Sequence, residues 1–209
     1  MPTKNEALER VYAARTPDEI RDAYQGWAGG YDAENLAGGF RLPSMAAAYV
    51  ARHVPVEASP LLDAGCGTGL VGEALSVLGY RGLVGLDISE AMLDAAGRLG
   101  VYSRLARQDL GQTIPEPDGA FAAFSCVGSF GPGHAPPESL DELVRVTRPG
   151  GVGVFNVVEA SYEAQGFAAK MAELEAAGRW RERERSPAHR AYLLAEPELL
   201  VRIFVFEIL

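Results

Sequence analysis

A short apolar run that ends on an acid and passes straight into alternating glycines constrains this chain more than any other feature. The stretch is Leu61-Leu62-Asp63-Ala64-Gly65-Cys66-Gly67-Thr68-Gly69, and apolar helix-like sequence follows from Leu70 to Leu78. Glycine enters left-handed backbone angles freely and leaves a surface bare enough for a ligand to touch the main chain. A pyrophosphate cradle favours exposed N–H groups and a helix N-terminus with no carboxylate beside them. Asp63 at the end of the strand therefore points to a ligand that carries positive charge or hydroxyl donors.

From residue 60 onward, short apolar runs alternate with helical stretches, the signature of a parallel sheet wound by crossover helices. The pattern predicts strands over 60–64, 82–87, 102–107, 119–125, 151–158, 179–185 and 200–209, the last two as an antiparallel hairpin at the sheet edge. Helices are predicted over 70–79, 91–99, 137–147 and 162–177, with Ser89 as a cap for the second of them. The run Arg148-Pro149-Gly150-Gly151 has strong turn chemistry. Before residue 60 the chain reads as helices over 4–14, 17–27 and 43–53, with Thr16-Pro17-Asp18-Glu19 as a well-formed helix start. The Gly-rich stretch 26–39, with Trp27, Tyr31 and Phe40 in and beside it, reads as a lid across the mouth of the sheet. The expected organisation is an N-terminal helical lid over 1–58 and a Rossmann-like α/β domain over 59–209, forming one compact unit.

Composition narrows the possibilities further. A chain of 209 residues can bury about 70% of its unfolded surface. No window approaches the roughly 18 apolar residues of a membrane span, and the polar first ten residues do not read as a secretory leader. Two cysteines, Cys66 and Cys126, make neither a disulfide framework nor a zinc site; they read as small space-fillers, and no metal is expected. Cytoplasm is the expected compartment. A net charge of −9 argues against nucleic acid as a partner, since that binding needs concentrated Lys and Arg. The alternating charges of Arg179–Arg185 read as a solvated strand face.

In open α/β sheets, ligands bind outside the carboxyl ends of the strands where strand order reverses. Three successive strand ends here carry matching chemistry: Asp63 with the glycine turn, Asp87 placed for two ribose hydroxyls, and Gln108-Asp109-Leu110 with an acid for an exocyclic amine and an apolar ring contact. A competing fingerprint exists. Gly67-Thr68-Gly69-Leu70-Val71-Gly72 matches the dinucleotide pattern, and Asp87 follows about 20 residues on. Against a nicotinamide-dependent oxidoreductase stand the extra acid and turn residue at Asp63 and Gly65, the lack of a Tyr-x-x-x-Lys pair, and the lack of a second domain for a substrate.

Together these residues resemble the class I S-adenosylmethionine-dependent methyltransferases. Leu62–Gly69 is similar to the first motif of that family, Leu83–Leu93 to the second, and Arg148–Gly151 to the turn before its fifth strand. The segments Tyr24–Asp32, Gly39–Pro43 and Leu174–Trp180 resemble the methyltransferase-like protein 27 group within it. The resemblance implies a doubly wound, seven-stranded sheet of order 3-2-1-4-5-7-6 with strand 7 antiparallel. It implies S-adenosyl-L-methionine as cofactor and S-adenosyl-L-homocysteine as product. Gly65, Cys66, Gly67, Thr68 and Gly69 would pass under the methionine portion, with Asp63 near its ammonium. Asp87 would hold the ribose, Ile88 and Met92 the adenine faces, and Gln108, Asp109 and Leu110 the adenine edge. Ser125 would close the fourth strand end, and Tyr24, Trp27 and Tyr31 would reach the methionine end from the lid.

Methyl transfer from a sulfonium is an in-line displacement, and orientation alone can supply roughly 7–11 kcal/mol of its barrier. A general base is needed only if the acceptor arrives protonated. The loop Ser125–His134 is short and Gly-rich and lacks the Asn/Asp-Pro-Pro-Tyr/Phe run of amino-nitrogen methylating relatives, which favours a small-molecule acceptor. His134 is the histidine placed to act as a base, because His53 ends an N-terminal helix and His189 lies in the final hairpin. The expected partners are that small molecule and, at most, a second copy of the chain: a monomer or homodimer, with no nucleic acid and no membrane. A non-catalytic S-adenosylmethionine-binding module would keep the cofactor residues but close the acceptor pocket.

Overall fold

The structure, a computed structural model, describes residues 5–209; the predicted start of the first helix at residue 4 lies outside the described residues. Four helices come first: α1 (Glu6–Ala13), α2 (Pro17–Trp27), α3 (Tyr31–Gly38) and α4 (Leu42–His53). Then follow β1 (Leu61–Ala64), α5 (Leu70–Val77), β2 (Leu83–Asp87), α6 (Glu90–Arg98), β3 (Tyr102–Arg107) and β4 (Phe121–Cys126). The chain continues as α7 (Ser139–Val146), β5 (Thr147–Val158), α8 (Glu159–Ala164), α9 (Phe167–Ala176), β6 (Trp180–Arg185), β7 (His189–Arg190) and β8 (Leu200–Ile208).

The sheet has the order β3-β2-β1-β4-β5-β8-β6, with β7 paired to the start of β8. β1 to β5 run parallel, while β8 lies antiparallel between β5 and β6. This is the predicted order, with β8 in the place of the predicted seventh strand and the two-residue β7 added to it. The order reverses between β1 and β4, which brings the ends of β1, β2, β3 and β4 around one crevice.

Alternation along the strands sends successive side chains to opposite faces. Leu62, Phe124, Phe155, Phe204 and Phe206 pack with Leu140 and Leu143 of α7 and with Phe167 and Met171 of α9. Leu61, Leu83, Ala123, Val154 and Ile203 pack on the other side with Ala47 and Val50 of α4 and Val71 and Leu75 of α5. Phe155 is the hub of the first layer, its ring 5.6–6.3 Å from those of Phe124, Phe130, Trp180, Phe204 and Phe206. A third cluster joins Leu8 and Val11 of α1, Trp27 of α2 and Leu42 to Tyr192 and Val201. The N-terminal helices are thus held over the sheet end by their own apolar seam.

Three predicted segments differ. The Gly-rich stretch 26–39 is not a loop throughout: Tyr31–Gly38 is helical, capped at its end by Gly39 with φ 70°. Asp32 and Glu34 suit its first turn, where acids meet the positive end of the helix dipole, so the glycines punctuate the helix instead of dissolving it. The predicted turn 148–151 is absorbed into β5 as an irregularity: Phe121 pairs with Thr147 but Ala123 already pairs with Val152. The predicted helix 162–177 is two, broken at Gly166 with φ 83°. The acidic–basic run on β6 is an exposed edge laced with ion pairs, Arg181 and Arg183 to Glu207, Arg185 to Glu182, and Arg52 to Glu184, with His53 Nε2 at 2.5 Å from the Glu184 carboxylate; charges of this kind blunt an edge against pairing with other chains. Among the described residues no helix is long and apolar enough to cross a membrane.

Phe155 is fully buried at the hub of five rings, so Phe155→Ala should cost about 3–5 kcal/mol of stability, read as a shift in the urea midpoint. A loss below about 1 kcal/mol would mean that the ring cluster closes over the void.

Candidate active site

The crevice at the strand ends is a cavity of about 490 Å³, a size suited to a small ligand or cofactor. Its floor is Gly65 and Gly67 after β1, Asp87 and Ile88 at the end of β2, and Met92 on α6. One wall is Gln108–Gln112 after β3, and another is the loop after β4, through Val127, Gly128, Ser129 and Gly133–Pro136. Ala14–Pro17, Ile20, Tyr24 and Tyr31 form the roof. An adjoining chamber of about 40 Å³ shares Tyr24, Tyr31, Gly128 and His134 with it and adds Tyr12, Trp27, Phe40 and Tyr192.

The glycine turn is tied to the next strand. The amides of Gly65 and Cys66 donate to the Leu86 carbonyl at 2.7 and 2.9 Å. The Gly67 amide donates to Asp87 Oδ2 at 2.8 Å, and the Ser89 amide donates to Asp87 Oδ1 at 2.9 Å. Burial raises the Asp87 pKa, while the amides of Ser89, Gly67 and Ile88 pull it back. Gly67 has φ 54°, and a Cβ there would meet nothing within 4 Å. Glycine is needed for the backbone angle, and the space above it is open for a ligand.

Asp63 faces the other way. It is 1% exposed and does not line the cavity. Its Oδ2 accepts from the Tyr102 hydroxyl at 2.6 Å and its Oδ1 from Ser125 Oγ at 2.9 Å. Burial pushes its pKa up to about 6 against the lowering effect of those two donors and of the Gly72 amide. The acid braces the turn from behind. Ser125, expected at the ligand, is one of its two hydroxyl donors.

Tyr102, which sequence reasoning missed, makes this possible. Its ring lies where a Cβ on Gly72 would be 2.3 Å from the hydroxyl and a Cβ on Gly85 would be 3.1 Å from the ring. The third glycine of the apparent dinucleotide fingerprint thus makes room for a tyrosine. The signal available was a polar aromatic at the start of a strand facing the glycines at 69, 72 and 85.

The other predicted residues divide between wall and scaffold. Tyr24, Tyr31, Gly65, Gly67, Asp87, Ile88, Met92, Gln108, Asp109, Leu110 and His134 meet at the cavity. Trp27 lines only the smaller chamber, its ring 4.7 Å from Tyr31 and its Nε1 donating to Glu34. Cys66, Thr68 and Gly69 lie outside both walls. Thr68 Oγ1 donates to Asp32 at 2.6 Å, which anchors α3 to the turn, and Cys66 packs beneath it with a thiol pushed up by burial. Asp109 Oδ1 accepts from the Gly111 amide at 2.8 Å, leaving Oδ2 for another donor.

The roof is held at several points. Gln25 Oε1 accepts from Ser89 Oγ and from the Ala91 amide, both at 3.3 Å. Tyr24 Oη lies 2.7 Å from His134 Nε2, and His134 Nδ1 lies 2.7 Å from the Pro132 carbonyl. Burial lowers the His134 pKa and raises those of Tyr24 and Tyr31. Among the described residues no cluster of His, Cys, Asp or Glu could hold a metal ion.

Tyr102→Phe leaves buried Asp63 with one donor fewer. It should cost about 1–3 kcal/mol at pH 7. A folded pKa of about 6 means that Asp63 is mostly protonated at pH 5, so the cost should shrink there. Urea unfolding at both pH values reads this, and an equal cost at both would mean that Tyr102 does not hold the charge.

Comparison with known proteins agrees with this architecture. A methyltransferase-domain family matches residues 61–151. Methyltransferase-like protein 27 of Homo sapiens is 35% identical over 184 residues, which is 84% of this chain and 75% of that protein. The malonyl-(acyl-carrier protein) O-methyltransferase of Serratia marcescens is 38% identical over 102 residues, 48% of this chain and 38% of that protein. Magnesium protoporphyrin IX methyltransferase from Synechocystis PCC 6803, solved with bound S-adenosylmethionine, superposes with a TM-score of 0.69 at 16% identity, over 94% of this chain and 99% of that one. The chain belongs to the class I S-adenosylmethionine-dependent methyltransferases and, among them, to the methyltransferase-like protein 27 group, which makes S-adenosylmethionine its cofactor.

Proposed function

We propose that this chain catalyses methyl transfer from S-adenosylmethionine to a small-molecule acceptor, as a monomer or homodimer in the cytoplasm. The observation that carries the reading is the single cavity into which the glycine turn, the β2 acid and the β3 acid converge beneath a tyrosine-bearing roof. Its residues fit the cofactor: bare backbone at Gly67, a carboxylate at Asp87 for a diol, and Ile88 and Met92 as flat apolar contacts.

In this reading Asp87 accepts from the ribose hydroxyls, Asp109 from the adenine amine, and Leu110 lies along the ring. Gly65 and Gly67 run beneath the methionine portion, while Tyr24, Trp27 and Tyr31 close over it. The lid is the N-terminal segment through residue 58, of which α1 to α3 do the roofing while α4 packs with α5 on the sheet. When bound, S-adenosylmethionine supplies a methyl that is already activated. The protein's part is to orient the acceptor and exclude water, which can be worth about 7–11 kcal/mol. Val127, Gly128, Ser129 and His134 form the remaining wall, short and Gly-rich, and suit an acceptor of modest size.

Calorimetry with S-adenosylhomocysteine and with NAD tests the cofactor half: the first should bind and the second should not, and tight binding of NAD alone would end the proposal. Asp87→Ala should weaken S-adenosylhomocysteine by about 1.5–3 kcal/mol, the scale of hydrogen bonds to a charged group. Thermal unfolding of the same variant separates lost ligand contacts from a loosened turn, since Asp87 also holds the amides of Gly67 and Ser89.

A further inference from the structure

We propose that Tyr24 and His134 form a proton relay, and that the acceptor therefore carries a hydroxyl or phenol that is methylated on oxygen; this rests on the methyltransferase reading above.

The tautomer of His134 follows from its neighbours. The Pro132 carbonyl, 2.7 Å from Nδ1, can only accept, so Nδ1 carries the proton. In the neutral ring Nε2 is then a bare lone pair, and the Tyr24 hydroxyl at 2.7 Å donates to it. Both side chains line the main cavity and the smaller chamber, so the pair stands where the two meet. The Tyr24 oxygen keeps a lone pair with which to accept one further proton.

The surroundings keep the relay charged correctly. Among the described residues, the rings in contact with His134 are Tyr12 of α1, edge-on at 5.8 Å, and Tyr24 of α2, with Tyr31 lining the same two chambers, and burial keeps all three tyrosines protonated. Burial also lowers the proton affinity of His134, so the imidazole is neutral near pH 7 and ready to accept. No hydrogen bond links the cavity's carboxylates to the pair: Asp87 accepts the amides of Gly67 and Ser89, and Asp109 Oδ1 accepts the Gly111 amide.

The step balances without another reactant. The acceptor O–H donates to Tyr24 Oη, and the Tyr24 proton passes to His134 Nε2. The acceptor oxygen forms its bond to the methyl carbon as the carbon–sulfur bond breaks. The positive charge of the sulfonium reappears on the imidazolium, which later returns its extra proton to solvent. Other acceptors have little use for such a device. A carboxylate arrives ionised, a neutral amine attacks before it loses a proton, and a thiol ionises far more readily than an alcohol. A part-buried relay to a neutral histidine fits a hydroxyl, where general base catalysis contributes about 10²–10⁴-fold.

The test supplies S-adenosylmethionine carrying a tritiated methyl, with a panel of phenols, primary alcohols, thiols, amines and carboxylates. Hydroxyl compounds should be the ones labelled. His134→Gln should lower kcat by about 10²–10⁴-fold while S-adenosylhomocysteine still binds, and Tyr24→Phe should lower kcat as well. Wild-type kcat should rise with pH through a value below the ordinary histidine pKa of about 6.5, and His134→Gln should lose that limb. Nitrogen-15 NMR of the wild-type imidazole provides a readout that needs no variant and no turnover, with Nδ1 protonated and Nε2 bare. An Nε2-protonated ring, an unchanged pH profile in His134→Gln, or labelling confined to thiols, amines or carboxylates would overturn the relay. So would a complete lack of labelled hydroxyl compounds while S-adenosylhomocysteine binds. Wild-type protein that does not bind S-adenosylhomocysteine would instead remove the methyltransferase reading beneath it.

Discussion

A backbone amide closing onto a carboxylate organises this molecule. Gly67 donates to Asp87 across the gap between the β1 turn and the end of β2, and the second oxygen of the same carboxylate takes the amide that opens α6. One side chain thereby fixes the loop on one side and the helix start on the other. Both oxygens of Asp87 thus accept from the backbone on either side of it. Above Gly67 the space is open, with nothing within 4 Å of where a Cβ would stand.

Behind the floor lies a buried charge that the fold has to support. An isolated carboxylate in an apolar interior is costly, and it is retained only when it is paired or hydrogen-bonded. Asp63 receives two hydroxyls, from Tyr102 on β3 and Ser125 on β4, so the strand at the switch point is bonded sideways to both flanks of the sheet. Three glycines at 69, 72 and 85 clear the volume that the Tyr102 ring occupies. Small residues that look like a nucleotide fingerprint are in part the space for one aromatic side chain.

The roof follows a different logic. Polar contacts tie it to the strand ends, Thr68 to Asp32, Ser89 to Gln25 and Tyr24 to His134, and the apolar seam around Trp27 and Tyr192 holds it from the other side. Tyr192 Oη donates to buried Asn35, and Phe40 bridges to Tyr192, so the β7–β8 connection holds α3 from its outer side. The aromatic rings of the roof, Tyr24, Trp27 and Tyr31, pack against one another beside the Tyr24–His134 contact.

Periodicity and turn chemistry alone determined the parallel sheet, its crossover helices and the three acid-bearing strand ends, because these are local: alternation, glycine angles and strand length are written within a few neighbouring residues. The order of the strands and the identity of the cofactor were legible through motif resemblance at Leu62–Gly69 and Leu83–Leu93. Where each acid points was not. Asp63 and Asp87 end neighbouring strands and look alike in the chain, yet one turns inward to Tyr102 and the other lines the cavity. That choice depends on a tyrosine 39 residues away along the chain and on the glycines that admit it. The meeting of Tyr24 with His134 across 110 residues was likewise decided by packing between distant segments. Burial and hydrogen-bond geometry belong to the assembled chain, so only the tertiary structure could assign them.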